Sequence, residues 1–506
     1  MRINLEQGIN ACQLVYDTCP NHLQGLAQTL QFINWHAFTH QKTLILTDID
    51  IKYGLNPEQL YSEVAALIHT YPIDRLIGVG PQLIKYAHQF LTPKKHFYTD
   101  VSTLVCGGLL EQLYQNIFII KNDANNHTVK MLIQKLRHQC HETVLEINLD
   151  AIRHNLDFLR SNLSSKTSII AMVKAAAYGS SSFEIAHFLQ QWGVDYLGVA
   201  YVDEGVTLRK SGIKLPIMVM NPSPNYFDRL LAHQLEPVIY SIPVLKAWKQ
   251  FIHHQPCPVH IHIKLDTGMH RLGFMEHEVA EMIRIIQDMP QVKVKSVLSH
   301  LSAPGNQRQD AYTHAQASLF KQLATYMENQ LGTRLLKHLL NTAGQLYHPA
   351  YEFDMVRLGI GLHGFSKNVQ QHLQIASTLK TTISQIKEVP EGATIGYERK
   401  GIATKPTKIA VLAIGYADGF RRVLSNGRGK VWINGQLAPV IGNVCMDMTM
   451  VDITGIAAQE GDEVIIFGKE HPTTEVALAA GTIVYEVLTN VSERIKRVYY
   501  KEVPNS

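Results

Sequence analysis

Apolar positions along the chain fall into three regimes. Over residues 1 to 140, strand-like runs (TLILTDI, RLIGVG, IFIIK) alternate with helix-like ones (SEVAALIHTY, VKMLIQKLRHQ). That alternation predicts a small α/β domain with a parallel sheet. From about 143 to 375 the rhythm becomes regular. Eight apolar runs, TSIIAMVK, DYLGVAY, PIMVMN, LEPVIYS, VHIHIKLD, VKSVLSH, LKHLLNT and FDMVRLGIG, read as strands. Amphipathic stretches such as FEIAHFLQQWG, HEVAEMIRIIQDM and AQASLFKQLATYMENQ lie between several of them. Eight strands in this rhythm match a (β/α)8 TIM barrel in number and length, although an open doubly wound sheet gives the same local signal. From 376 to 506 short strands (TTISQIKEV, KIAVLAIGYA, KVWINGQLAPVIG, MTMVDI, DEVIIFG) are punctuated by EG, NG and GD turns, which predicts a mostly β domain. The expected order is therefore α/β over 1–140, barrel over 141–375, and β domain over 376–506.

Composition narrows the picture. With 46% hydrophobic and 18% charged residues, the 506-residue chain has an ordinary globular balance, enough for about three domains. A net charge of +4 without a dense basic block gives no reason to expect nucleic acid or an anionic membrane as partner. No uncharged apolar run approaches the roughly 18 residues that span a bilayer, and the N-terminus lacks a signal-peptide layout. The six cysteines, Cys12, Cys19, Cys106, Cys140, Cys257 and Cys445, are irregularly spaced, as expected of reduced thiols in the cytoplasm.

Chemistry in such a barrel belongs at the C-terminal ends of the strands. The first strand ends on Lys174, followed by AAAYGSSSF. A lysine closing a buried run is costly unless it is used, and burial suits it to Schiff-base chemistry; reaching out to the rim explains the spacing equally well. Ser180 to Ser182 offer a helix N-cap. Thr342 and the amides near Gly359 and Ile360 follow strands seven and eight, the usual phosphate-binding loops, although two glycines there also fit a plain turn. KLDTGMHRLGF gathers Lys264, Asp266 and Arg271 at one strand end, and AIGYADGFRR places Tyr416 after a strand of the β domain. HHQPCPVHIH suggests a metal site, but His260 and His262 alternate along one strand and no second ligand cluster completes it, so no metal is expected.

VKAAAYG, KLDTGMHRLGF, LSH, LNTAG, MVRLGIGLHG, IGYADGFRR and GNVCMDMTMVDI occur in this order, and together they resemble alanine racemase, a fold-type III pyridoxal-phosphate family. The resemblance covers about 143 to 503. It implies that Lys174 carries pyridoxal 5'-phosphate and is one base, with Tyr416 from the other subunit of a homodimer as the opposite base. It further implies Arg357 at the pyridine nitrogen, His338 orienting Arg357, and His300 bonded to the catalytic tyrosine. Tyr178, Thr342 and the amides of Gly359 and Ile360 would hold the phosphate. Arg271 and the Met446 amide would place the substrate carboxylate, with Lys264, often carbamylated in the family, bracing Arg271. The implied activity is interconversion of L- and D-alanine for peptidoglycan synthesis. The alternatives are a serine or lysine racemase, a ligase–racemase fusion fragment with weak activity, a peptide-forming ligase, against which the missing phosphate loop counts, and a pyridoxal-phosphate binding protein without turnover, a class of typically single barrels without a β domain.

Three positions depart from the family pattern. Thr342 replaces a commoner serine, His363 a usual tyrosine, and Glu493 a tyrosine that often contacts the phosphate. A carboxylate would repel that phosphate, so the contact is expected to be lost or rearranged. Residues 1–140 resemble the last domain of the UDP-N-acetylmuramoyl-tripeptide:D-alanyl-D-alanine ligase, which some bacteria fuse ahead of alanine racemase. Its signature segments are eroded to Tyr16-Asp17-Thr18-Cys19-Pro20 and Lys121-Asn122-Asp123-Ala124, and no G-x-x-x-x-G-K-[ST] loop is present, so a catalytically inactive domain is expected.

Overall fold

The computed structural model describes residues 2–17, 21–35, 41–49, 56–121, 127–138, 141–253, 258–366 and 369–502. Two compact units emerge, one of Ala151–Ile375 and one of Met1–Asp150 together with Ala376–Ser506.

In the first unit the eight expected strands form at Ser168–Met172, Tyr196–Val199, Ile217–Val219, Glu236–Ile239, Val259–Lys264, Val292–Leu298, Leu336–His338 and Met355–Leu358. Each strand lies beside the next in sequence, and the last returns to pair with the first. Every pairing is parallel, and a parallel bridge between Asn341 and Arg357 completes the ring. This order selects the barrel over the doubly wound sheet, whose strand order would reverse midway. The strands read as continuous apolar runs because both faces are covered.

The outer helices are amphipathic. Helix Val279–Gln287 buries Val279, Met282, Ile283 and Ile286, a stripe at helical spacing. Ser241 caps helix Ile242–Ile252 by accepting the Val244 N–H, with Pro243 in the first turn, and Gly332 at φ +65° ends helix Asp310–Leu331.

The second unit is built on one extended sheet. Strand Lys496–Glu502 sits at its centre, pairing parallel with Val144–Asn148 on one side and antiparallel with Arg2–Gln7 on the other. Beyond Arg2–Gln7 comes Gln13–Asp17, and then the parallel strands Asn116–Lys121, Gln41–Thr47, Arg75–Val79 and Lys94–Tyr98. On the other side Ser377–Val389 leads into the antiparallel strands of the C-terminal domain. The N-terminal α/β layer thus continues the C-terminal sheet and covers an edge that would otherwise be open. Arg2 fastens the seam, lying 3.4 Å from the Tyr500 ring centroid and 3.0 Å from Glu146. The buried Glu6 carboxylate meets Arg137 at 2.6 Å and Lys496 at 3.6 Å. The sequence carries no signal for this pairing.

At the C-terminal end of the N-terminal parallel sheet, Lys121 and Asp17 form a fully buried ion pair at 3.0 Å. The rest of the two eroded ligase segments, residues 18–20 and 122–124, lies outside the described residues. In the C-terminal domain, strands Lys430–Ile433 and Gln436–Pro439 are joined by Asn434 and Gly435, both at positive φ, the tight hairpin that an Asn-Gly pair specifies.

Candidate active site

The barrel mouth gathers most of the residues singled out by sequence. Lys174 follows the first strand, Lys264 ends the fifth, His300 follows the sixth, Thr342 follows the seventh, and Arg357 lies in the eighth. Lys264, Arg357, His338, Thr342, Tyr178 and Ile360 are buried.

After Lys174 the backbone does something the sequence did not announce. Ala175 to Tyr178 form a left-handed turn, with φ between 48° and 58°. Such geometry costs about 1–2 kcal/mol per non-glycine residue, so its neighbours must hold it. Glu204 does so by accepting the Ala175 N–H at 2.7 Å, and Ala177 N–H bonds Val173 at 3.0 Å. The turn places the Tyr178 hydroxyl directly above Gly359, where a Cβ would lie only 2.1 Å from it. A Cβ on Gly361 would meet the Thr342 methyl at 2.4 Å, and the Gly359 N–H donates to the Thr342 hydroxyl at 3.3 Å. Tyr178, Thr342, Gly359 and Ile360 therefore converge, and the two glycines are what allow it. The substituted His363 packs against Tyr178 with ring centroids 5.1 Å apart. Burial holds its imidazole neutral, down to about 4.

The expected serine cap is not used as a cap. Ser181 precedes helix Ser182–Gln191 at φ +71°, and its hydroxyl donates to Glu184 at 2.5 Å instead of serving the backbone.

Arg357 is buried and held rigidly. Its Nη1 donates to His338 Nδ1 at 2.7 Å and to the His338 carbonyl at 3.0 Å. Nη2 donates to the carbonyls of Ser299 at 2.6 Å and Leu339 at 2.9 Å, with His300 Nδ1 at 3.4 Å. These bonds engage all four Nη hydrogens and leave Nε as the remaining donor.

The mouth is strongly cationic. Burial, then Arg271, push the Lys174 ammonium below its usual range, and Arg357 adds to the effect while Glu204 opposes it. Lys264 falls further, to about 8, through burial and then the charges of Arg271 and Arg357. His300 lies well below its ordinary value, driven by burial and the same cations. Such a cluster favours anionic ligands. Arg271 itself is exposed and sits on a tight loop in which Asp266 accepts the amides of Gly268 at 2.9 Å and His270 at 3.0 Å.

Tyr416 and Met446 lie in the other unit, on adjoining loops. The Tyr416 N–H bonds the Cys445 carbonyl at 2.9 Å, and the Ala417 N–H bonds the Met446 carbonyl at 3.0 Å. Both side chains are exposed, at 41% and 53%. Arg494 clamps the two loops, reaching Asp418 at 2.6 Å and Asp447 at 2.7 Å. Glu493, next to it, is exposed. Ser299 and Asp418 lie inside the LSH and IGYADGFRR segments without a role read for them, whereas Glu204 and Arg494 are single polar residues that carry no such signal.

Among the described residues, no group of three or more His, Cys, Asp or Glu side chains is placed to hold a metal. Residues 254–257 of the His-rich segment lie outside them. Nor is any helix among them long and apolar enough to cross a membrane.

Two family descriptions match the chain, "Alanine racemase, N-terminal domain" over residues 147–367 and "Alanine racemase, C-terminal domain" over 376–499. An alanine racemase of Clostridium novyi is 37% identical over 369 residues, covering 70% of this chain and 95% of its own. One from Clostridium perfringens is 38% identical over 368 residues, covering 70% and 95%. Among solved structures, the alanine racemase of Clostridium difficile superposes with a TM-score of 0.67 at 34% identity, covering 71% of this chain and 96% of that one. The enzyme of Bartonella henselae, described with covalently bound pyridoxal phosphate, superposes with a TM-score of 0.66 at 28% identity over 71% and 99%. With the closed barrel, the β domain and both family matches in agreement, the chain belongs to the alanine racemase family of amino-acid isomerases.

Proposed function

We propose that this chain binds pyridoxal phosphate on Lys174 and interconverts L- and D-alanine as a cytoplasmic homodimer, supplying D-alanine for peptidoglycan. The observation that carries the reading is the fit of the barrel mouth to that group. Tyr178, Thr342 and the bare backbone at Gly359 and Ile360 offer donors to a phosphate at the loops where such barrels bind one. Arg357 offers its Nε to a ring nitrogen while its other donors are engaged. Burial and the neighbouring cations hold the Lys174 ammonium below its usual range, which eases release of the free amine that a Schiff base needs.

When bound, pyridoxal phosphate supplies an electron sink that acidifies the substrate Cα–H. The remaining work falls to the protein. Racemisation needs a proton taken from one face of Cα and returned on the other. Lys174 Nζ serves one face and the Tyr416 hydroxyl of the partner subunit serves the other, with His300 bonded to that tyrosine. Exposure of Tyr416 and Met446 on one chain suits presentation to a second copy. Arg357 cannot give up its proton, so a nitrogen facing it stays unprotonated, which limits how long negative charge persists and thereby suppresses side reactions. Arg271 and the Met446 amide receive the substrate carboxylate. Lys264, at about 8, has enough free amine to take up carbon dioxide, and the resulting carbamate would turn a repelling cation into an anion beside Arg271. The N-terminal layer acts as a structural extension without ligase activity; its lysine is already paired with Asp17 in the interior.

Complementation tests the shared site. Lys174→Ala and Tyr416→Phe chains are each inactive alone. Mixed and reassembled, they regain racemisation of L-alanine, because a heterodimer has one intact Lys174–Tyr416 pair. No recovery on mixing, with heterodimers demonstrated, would refute the homodimer reading. Faster turnover of L-serine or L-lysine than of L-alanine would overturn the substrate assignment.

A further inference from the structure

Counting Arg357, a line of polar side chains crosses the barrel on five consecutive strands. His338 Nε2 lies 2.8 Å from the Ser296 hydroxyl, which lies 2.6 Å from His262 Nδ1; His262 Nε2 lies 2.9 Å from Glu236. Glu236 opens strand four, at the end of the barrel away from the mouth. His262, Ser296 and His338 are completely buried. Lys295 holds the other Glu236 oxygen at 3.0 Å.

Only one arrangement of protons satisfies this line. Burial keeps both imidazoles neutral, so each has one N–H and one bare nitrogen. Burial raises Glu236, but the hydrogen bond from His262 and the Lys295 ammonium outweigh that and keep it ionised, a pure acceptor. His262 must therefore donate from Nε2, which leaves Nδ1 to accept the Ser296 O–H. The serine oxygen then accepts from His338 Nε2–H. His338 Nδ1 is left bare, facing the Arg357 N–H at 2.7 Å. In the reverse polarity a lone pair would face the carboxylate and an N–H would face the guanidinium, both repulsive at these distances.

We infer that Glu236 is a positioning residue for the reaction: through His262 and Ser296 it fixes His338 with Nδ1 unprotonated, and so fixes the orientation of Arg357. The inference rests on the reading of Arg357 as the partner of the cofactor nitrogen. It extends that reading across the barrel to a carboxylate that touches neither cofactor nor substrate. The chain of bonds also links the buried guanidinium to a negative charge without placing that charge beside the reacting atoms.

The test is nitrogen NMR of the full chain labelled with 15N-histidine, with His262 and His338 assigned by single His→Gln variants. Wild type should show both rings neutral and protonated at Nε2 from pH 6 to 8. Ser296→Ala should strip the His338 Nε2–H of its acceptor and shift its nitrogen and proton signals, with Nδ1 still bare toward Arg357, while His262, still facing Glu236, keeps its proton on Nε2. Ser296→Thr, which keeps the hydroxyl, should restore the His338 signals. Glu236→Leu should disturb both rings, whereas Glu236→Gln, whose amide oxygen can still accept, should spare them. Turnover should fall about tenfold in Ser296→Ala and Glu236→Leu with KM for L-alanine little changed. A His338 proton on Nδ1 in wild type, or His338 Nε2–H signals indifferent to Ser296→Ala, overturns the inference. Should Glu236→Leu fail to fold, the Ser296 pair decides alone. Failure of wild type to bind pyridoxal phosphate would instead sink the cofactor reading, leaving the tautomer result intact.

Discussion

Replacing Gly359 with alanine probes the cradle most sharply. The new Cβ would stand 2.1 Å from the Tyr178 hydroxyl and 2.9 Å from its ring carbon, where ordinary contact begins near 3.4 Å. The hydroxyl must therefore retreat by about 1.3 Å, and the His363 ring packed on Tyr178 limits how it does so. The clash is with the tip of a side chain, so the fold itself should survive at a cost of about 1 kcal/mol, the low end for overpacking. The larger loss falls on the ligand. A hydrogen bond to a charged phosphate is worth about 1.5–3 kcal/mol, so pyridoxal phosphate should bind roughly 10- to 100-fold more weakly. Titration of the cofactor-free protein, followed by visible absorbance, measures this directly. In the Tyr178→Phe background the hydroxyl is already gone, so adding Gly359→Ala should cost much less, a coupling that a double-mutant cycle resolves. Wild-type affinity in Gly359→Ala, or full additivity in the cycle, would refute the placement of Tyr178 over the phosphate site.

Other consequences follow from the same structure. Lys264 has its folded-state value lowered from 10.5 to about 8, so the unfolded chain binds more protons between those values, and stability contributed by this residue rises with pH across that window. Lys264→Met should accordingly raise the melting temperature of the cofactor-free protein at pH 6.5, with the gain shrinking from pH 8 to 10.5; a lower melting temperature at pH 6.5 would contradict the cationic strain. Arg494→Ala should leave cofactor absorbance intact yet lower turnover at least tenfold, because the Tyr416 and Met446 loops lose their clamp and the buried Asp418 loses its guanidinium, keeping the Gly415 amide and His141, 3.6 Å away. Hydrogen exchange should show strands Arg2–Gln7 and Lys496–Glu502 equally protected, as one sheet requires; fast exchange confined to Arg2–Gln7 would show the N-terminal layer to be detached.

The eight barrel strands were legible because parallel strands covered on both faces must be apolar throughout, and each run stands apart from its helices. Closure was not legible, since it depends on Met355–Leu358 returning to Ser168–Met172 across nearly the whole unit. The docking of Arg2–Gln7 on Lys496–Glu502 was hidden for the same reason: nearly 500 residues separate the partners. At the site, Lys174 stood out as a cation ending a buried run, and the glycines after strand eight fitted either a phosphate-binding backbone or a plain turn. The left-handed turn did not stand out, because three alanines favour the opposite hand and Glu204, which helps hold them, comes from a distant helix. Nor did the serines after it announce that Glu184 would claim the Ser181 hydroxyl. Glu236, Ser296 and His262 were invisible as a set because each reads alone as an ordinary strand residue.

One measurement bears most directly on the central claim: visible absorbance and L-alanine to D-alanine conversion in wild type beside Lys174→Ala, both supplied with pyridoxal phosphate. The account predicts a visible band of lysine-bound cofactor with D-alanine formed in wild type, and loss of both in the variant. A wild type that shows neither band nor D-alanine, or a Lys174→Ala protein that retains both, would contradict it.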